Sequence, residues 1–336
     1  MKSIIEFLYF ISNSNKGGAS LQQIIDMILE SGARGIDLSL YLILPIMVTM
    51  MAIMKVLEEK NVLNKVALVF SPLLLIFGLP GLGVFALIQI LFISFAAPVA
   101  TLKVMEMRPS ISDARIAATL AAILVMAQAN ASFPLVAVGL NLPINILTSI
   151  PAGLLASFIA FKMCVKLDLH NPTSEEKETS EDAKDETPPK KKIIPLLFKG
   201  GEEGLQITLK SIPPLILAIL MVNIFEMVGI IGILETIMAP VLTRMGIPAI
   251  AVLPIVTKFI AGGTAMMAII LDLMENGLMT VPELNRMAGF TLNPLDPVGL
   301  AVLMATGPRV SKVARPAIIA AVIGIIFRGI LHIIIF

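Results

Sequence analysis

Long uncharged apolar runs, separated by short clusters of charge, make up most of this chain. Residues 66–102 and 116–161 contain no charged side chain. A helix needs about 20 apolar residues to cross a bilayer, so runs of this length predict membrane-embedded helices. A different pattern occupies residues 1–31. Leu21, Ile24, Ile25 and Ile28 share one helical face, while Gln22, Gln23, Asp26 and Glu30 lie elsewhere. That is an amphipathic helix suited to the headgroup region. Before it, Ile4–Ile11 follows Met1-Lys2-Ser3, but Glu6 interrupts the run and no small-x-small cleavage site precedes Asn13 and Asn15. It reads as a second short interfacial helix rather than a cleaved signal.

The apolar pattern stops at Lys166. The stretch from Asn171 to Pro189 is almost entirely Ser, Thr, Glu, Asp, Lys and Pro. Such a segment buries too little apolar area to offset its ordering entropy and predicts a solvated linker. Lys162 and Lys166 precede it and Lys190, Lys191, Lys192 and Lys199 follow, which places residues 166–199 on the cytoplasmic side.

The segments on either side of this linker match each other. Gly78-Leu79-Pro80 corresponds to Gly246-Ile247-Pro248, and Pro72 to Pro240 at the same spacing. Asn130-x-x-x-Pro134 corresponds to Asn293-x-x-x-Pro297, and Pro143-x7-Pro151 to Pro308-x7-Pro316. Glycine and proline each constrain backbone geometry, so their recurrence in register predicts two structural repeats, 32–165 and 200–336. Loop charges then orient the passes. Lys55, Lys60 and Lys65, then Lys103, Arg108 and Arg115, and later Arg244 and the Arg309, Lys312, Arg315 group, fall inside; the acidic segments 226–235 and 272–286 fall outside. About five passes per half result, with 66–102 counted as two passes broken at Gly78–Gly81 and Asn130–Asn141 as an outer turn. An odd number inverts one half relative to the other and puts both termini outside. The expected fold is an all-α polytopic membrane protein of two inverted-topology repeats, with broken helices or re-entrant hairpins.

Composition narrows the function. Hydrophobic residues make up 57% of the 336 and charged residues only 15%, with a mean hydropathy of +0.93, far from a soluble domain. A net charge of +1 gives no case for nucleic-acid binding. One cysteine, Cys164, excludes a disulfide framework, and two histidines, His170 and His332, make a zinc site improbable. No Walker A, His-Glu-x-x-His or Gly-x-Ser-x-Gly motif is present, so no enzyme and no cofactor is expected.

Candidate chemistry lies where charge or helix-breaking residues interrupt apolar runs. Lys258 falls opposite Ile90 in the repeat and Asp296 opposite Phe133, so the shared scaffold requires neither charge. A charge at membrane depth costs about 3 kcal/mol or more and by default indicates a site or pathway. Lys258 precedes Gly262-Gly263-Thr264, where paired glycines invite a helix break; the alternative is a snorkelling lysine and close-packing glycines. Asn293-Pro294-Leu295-Asp296-Pro297 cannot continue as helix, and Gln128, Asn130 and Ser132 are its uncharged counterparts; the alternative is a tight outer turn. Lys258, Gly262, Gly263, Thr264, Asn293, Asp296, Gln128 and Asn130 are therefore the candidate solute-binding residues. Asp296 or Asp272 is the candidate for sodium or proton coupling. Arg309, Lys312 and Arg315 read as a positive-inside anchor, with anion recognition at the inner mouth as the alternative. No metal ligand set is expected.

Two Gly-rich lead-ins, Gly32-Ala-Arg-Gly35 and Gly200-Gly-Glu-Glu-Gly204, each followed by a Gly-x-Pro break and an Asn/Pro hairpin, resemble the nucleoside-recognition or Gate domain. This domain occurs in concentrative nucleoside transporters, ferrous-iron permeases and spore-maturation membrane proteins. The resemblance covers most of 32–161 and 200–330 and implies a membrane gate or transport core. The chain lacks the GTPase domain of the iron permeases, and Cys164 lies beside the linker rather than in a translocation helix.

The expectation is a secondary transporter in a prokaryotic cytoplasmic membrane. It would move a small polar solute, nucleoside-like or anionic, by alternating access coupled to sodium or protons. A non-transporting assembly factor and a divalent metal-ion permease are the rivals. The expected partners are the bilayer and the solute, without nucleic acid, and a homo-oligomer is left open.

Overall fold

The structure, a computed structural model, describes residues 21–60, 74–166 and 193–336. The short helix expected over 4–11, most of the charged linker and Pro72 lie outside the described residues. Those described are almost wholly helical, and no strand occurs among them.

Helix α1 (Leu21–Asp37) runs through a π-helical segment, Leu38–Ile43, into α2 (Leu44–Glu59). The boundary drawn at residue 31 thus falls inside a helix, and Leu21–Leu57 is long and apolar enough to cross a membrane. Helix α2 packs along α8 (Ile193–Met227), which takes in residues 193–199 of the expected linker. The glycine lead-ins explain the closeness of this contact. A Cβ on Gly204 would stand 2.6 Å from Met47 O, one on Gly200 would strike Met51 O, and one on Gly35 would lie 2.5 Å from Ile216 Cγ1. With no hydrophobic driving force between helices in lipid, small residues bring backbones into dispersion contact. Lys55 and Glu203 add an ion pair of 2.9 Å across the same interface.

Each half then repeats the same local device. Gly78 and Gly246 are left-handed, at φ of 82° and 65°, and the extended Pro80 and Pro248 follow. The amides of Leu79 and Ile247 bond back to the carbonyls of Leu74 and Leu242. A helix end of this kind needs a residue without Cβ, followed by one that cannot continue the helix. In the second half it bends α9 (Ile230–Arg244) by 116° from the segment beginning at Ala249.

A hairpin follows each break. Helices α3 (Gly81–Phe92) and α4 (Pro98–Met107) lie side by side, joined through Ile93–Ala97, with Thr101 Oγ1 donating to Gln89 Oε1 at 2.7 Å. Helices α10 (Val252–Ala261) and α11 (Gly263–Glu275) turn on Gly262 alone, at φ 86°. Of the stretch 66–102, the described part, 74–102, therefore does not supply a full pass after the Gly78–Gly81 break. The chain reverses near Phe95, and α3 and α4, at about 18 and 15 Å, are each too short to span.

Next comes an interrupted helix: α5 (Asp113–Val125) with α6 (Ala129–Val136), and α12 (Val281–Thr291) with α13 (Pro297–Met304). Together, Asp113–Val136 forms a candidate span that is buried throughout. Asn130, expected in an outer turn, sits at its break. Helices α7 (Leu142–Lys166) and α15 (Ala314–Ile335) close the two halves and pack on each other and on α5. Among the described residues, five helices are long and apolar enough to cross a membrane, or six if the bent pair counts as one span. Among the described residues, the hairpins and interruptions take the place of full passes expected there.

Arg309 and Lys312 of the basic group near the carboxyl end make internal contacts. Arg309, on the short α14 (Pro308–Lys312), bonds Asp113 Oδ1 at 2.8 Å and the carbonyls of Glu106, Arg108 and Ile111. Lys312 reaches Asp113 Oδ2 at 3.2 Å. This group ties the second half to the α4–α5 loop of the first. Asp113 is buried, so Asp113→Asn should lower stability by about 2 kcal/mol, read as a fall in the melting temperature of the purified protein. An unchanged melting temperature would show that the tie contributes nothing.

Candidate functional site

The two interruptions and the second hairpin tip converge on one buried polar centre. At the α5–α6 break, Gln128 leaves the helix with an extended backbone, and Ala127 N donates to Ser149 Oγ of α7 at 3.2 Å. Gln128 Nε2 donates to Asn293 O at 3.3 Å, joining the two breaks. Lys258 Nζ, from α10, donates to Asn293 Oδ1 at 2.8 Å. The same Oδ1 accepts from Leu295 N at 3.1 Å, and Asn293 Nδ2 donates to Phe290 O at 2.8 Å. Asp296 caps α13, accepting from Gly299 N at 2.8 Å. Proline on both sides removes the helical alternative, and an aspartate at the cap satisfies an otherwise unpaired amide.

The hairpin tip meets this centre backbone first. A Cβ on Gly263 would strike Gln128 Nε2, and one on Gly262 would lie 3.7 Å from Asp296 Oδ1. Thr264 Oγ1 accepts from Asn130 Nδ2 at 3.2 Å, and Asn130 Oδ1 accepts from Phe95 N, at the first hairpin's tip, at 3.3 Å. Lys258, Gly262, Gly263, Thr264, Asn293, Asp296, Gln128 and Asn130 are thus brought together. Lys258 and Asp296 are each only 3% exposed, which puts the lysine inside the protein rather than snorkelling. Asp272 is not part of the cluster. Its partly exposed carboxylate lies 3.8 Å from Arg34 and accepts from Asn276. Ser132, named beside Asn130, accepts from Asn145 Nδ2 at 3.1 Å. Of the other outer acids, the Glu226 side chain lies outside the described residues.

Substituting Gly263 tests the closeness of the tip. Gly263→Ala requires Gln128 to move and should shift the equilibrium away from closed tips, seen as faster alkylation of a cysteine placed at Thr264. Equal labelling with and without the substitution would refute the contact.

The residue that the sequence reading missed is Arg328, on α15. Its Nη1 donates to Val125 O at 3.1 Å and Leu292 O at 3.0 Å, the carboxyl ends of α5 and α12. Its Nη2 faces Asn145 Oδ1 and Asn145 O. The side chain is fully buried. Four residues on, His332 bridges Asn285 O (2.6 Å) and Thr148 Oγ1 (2.8 Å). Arg328 is a lone charge in a strongly apolar run, the same signal that singled out Lys258. A cavity of about 340 Å³ lies against the first hairpin tip, lined by Ser94, Ala97, Glu203, Gln206 and Lys210 among others. Among the described residues, no three His, Cys, Asp or Glu side chains gather as a metal cluster would.

The backbone as a whole superposes on several solved structures. The fold is similar to that of CNTnw, a concentrative nucleoside transporter. A variant of CNTnw in an outward-facing state superposes with a TM-score of 0.65 at 16% identity, over 98% of this chain and 95% of that one. CNTnw in an inward-facing, substrate-bound state gives 0.64 at 17% identity over 98% and 88%. A variant in an intermediate state gives 0.65 at 17% identity over 99% and 85%. No family model matches the chain, and no curated protein matches it by sequence. The likeness to this transporter fold is thus one of backbone architecture, with little shared sequence.

Proposed function

We propose that the protein is a secondary transporter that moves a small polar solute, nucleoside-like or anionic, across a prokaryotic cytoplasmic membrane by alternating access. The observation that carries this reading is the convergence of the hairpin tip and both helix interruptions on one buried polar centre. Half-helices that meet within a bundle leave backbone groups and polar side chains to receive a solute, without exposing either to lipid. The structural neighbours share the architecture and have been captured in outward-facing, inward-facing and intermediate states, which supports the alternating-access part of the proposal.

In this reading the two halves, 32–165 and 200–336, are inverted repeats of a Gate-like domain. The linker is cytoplasmic, in keeping with the lysines on either side of it. Lys258 supplies a charge to the solute, Asn293 and Gln128 supply hydrogen bonds, and Gly262 and Gly263 allow its close approach. Asp296 is the group through which solute and driving ion are linked. The cavity at the first hairpin tip serves as an entry vestibule, with Gln206 and Glu203 at its wall.

A thermal-shift screen of the purified protein tests the proposal, against uridine, uracil, organic anions and divalent metals. A ligand that binds only the folded state raises the melting temperature by mass action. The expected result is a hit among nucleosides or anions that is lost in Asp296→Asn and is taken up by proteoliposomes. Binding by divalent metals alone, abolished by a chelator, would favour the metal permease. Silence across the panel together with absent uptake would overturn transport in favour of an assembly role.

A further inference from the structure

The carboxyl ends of the two interrupted helices create a place for a cation, and the chain fills it with its own side chain. Helix α5 ends at Val125 and α12 at Thr291, next to the Leu292 carbonyl. Each helix end carries roughly half a negative elementary charge, so two ends together call for about one positive charge. In transporters built on interrupted helices, such ends and unwound carbonyls commonly coordinate sodium. Here the acceptors are Val125 O, Leu292 O, Asn145 O and Asn145 Oδ1, all neutral oxygens, and one guanidinium serves all four. Arg328 reaches them from a fourth element, α15, with no exposure to solvent, and its Nε makes no hydrogen bond.

We propose that Arg328 is a built-in cation occupying the position that the two helix ends create for a coupling ion, so that the core closes without sodium. A planar guanidinium suits this task because two of its nitrogens address acceptors on different helices at once, holding both breaks in register. The link to coupling rests on the transporter reading; the occupation of the position does not. Coupling, where it occurs, then falls to a proton at the other end of the centre, at Asp296, and not to sodium.

The test compares melting temperatures in sodium chloride with those in N-methylglucamine chloride at equal ionic strength. The native protein should melt at the same temperature in both. Arg328→Met, which keeps bulk but removes the charge, should melt lower and recover in a saturable way with sodium or methylguanidinium, but not with the larger N-methylglucamine. Arg328→Lys keeps a charge at the position and should be insensitive to sodium; it decides the matter if Arg328→Met does not fold. Saturable stabilisation of the native protein or of Arg328→Lys by sodium would overturn the proposal, as would an Arg328→Met protein indifferent to small cations. Uptake by proteoliposomes is measured separately in sodium-free medium. Absent uptake in every medium would remove the transporter reading while leaving the melting results to judge Arg328. Uptake that requires sodium would overturn the proposal while leaving transport standing.

Discussion

Lys258→Ala is expected to reduce uptake of the screening hit by at least about tenfold while leaving the purified protein folded, a loss of about 1.4 kcal/mol or more in the binding or translocation step. The two effects separate because of how Asn293 is held. Its Oδ1 loses the ammonium but keeps Leu295 N, and its Nδ2 keeps Phe290 O, so the turn between α12 and α13 survives. What disappears is the buried positive charge beside the Asn293–Asp296 segment and the hydrogen bond from α10 to that break. A solute held by that charge loses its partner at the moment the tips close. Uptake in proteoliposomes and the melting temperature, measured on the same preparation, check both halves. Normal uptake would remove Lys258 from the site, and a collapse in melting temperature would make it a structural residue.

Arg328→Ala should have the larger effect on stability, on the order of 3–5 kcal/mol, because it strands several buried acceptors at once. Val125 O and Leu292 O lie at the ends of half-helices and receive Arg328 Nη1, and Asn145 receives Nη2. A buried carbonyl left unpaired costs about 1–3 kcal/mol. The truncation also leaves a void among α5, α7, α12 and α15. A fall in melting temperature of about 5–10 °C is the expected reading. A shift within error would mean that the helix ends find other donors and that the guanidinium is not what holds the breaks together.

The sequence by itself determined the helical membrane class and where the helices break. Gly78-Leu79-Pro80, Gly246-Ile247-Pro248, Gly262-Gly263 and Asn293-Pro294-Leu295-Asp296-Pro297 each appear as interruptions in the structure. The reason is local: a left-handed glycine or a proline without an amide ends a helix whatever surrounds it. The same chemistry led to the eight residues that meet at the centre, since a polar group inside an apolar run must find a partner.

Only the tertiary structure decided what each break does. At Gly262 and near Phe95 the chain folds back into a hairpin, whereas at Gln128 and Asn293 it breaks and then resumes helix without reversing. Hydropathy does not distinguish these cases, because both flanks are apolar either way and packing against α8, α7 and α15 selects the outcome. That is why 66–102 read as two passes and Asn130 as part of an outer turn. Asp272 and Asp296 are both acids near apolar runs, and both are candidates for coupling in the sequence. One packs under a hairpin tip and the other lies toward the surface beside Arg34, which is a matter of which helices adjoin. Arg328 gave a sequence signal, but its partners are backbone oxygens of residues far away in the chain. A carbonyl has no letter in a sequence, so only the assembled helices reveal what the guanidinium holds.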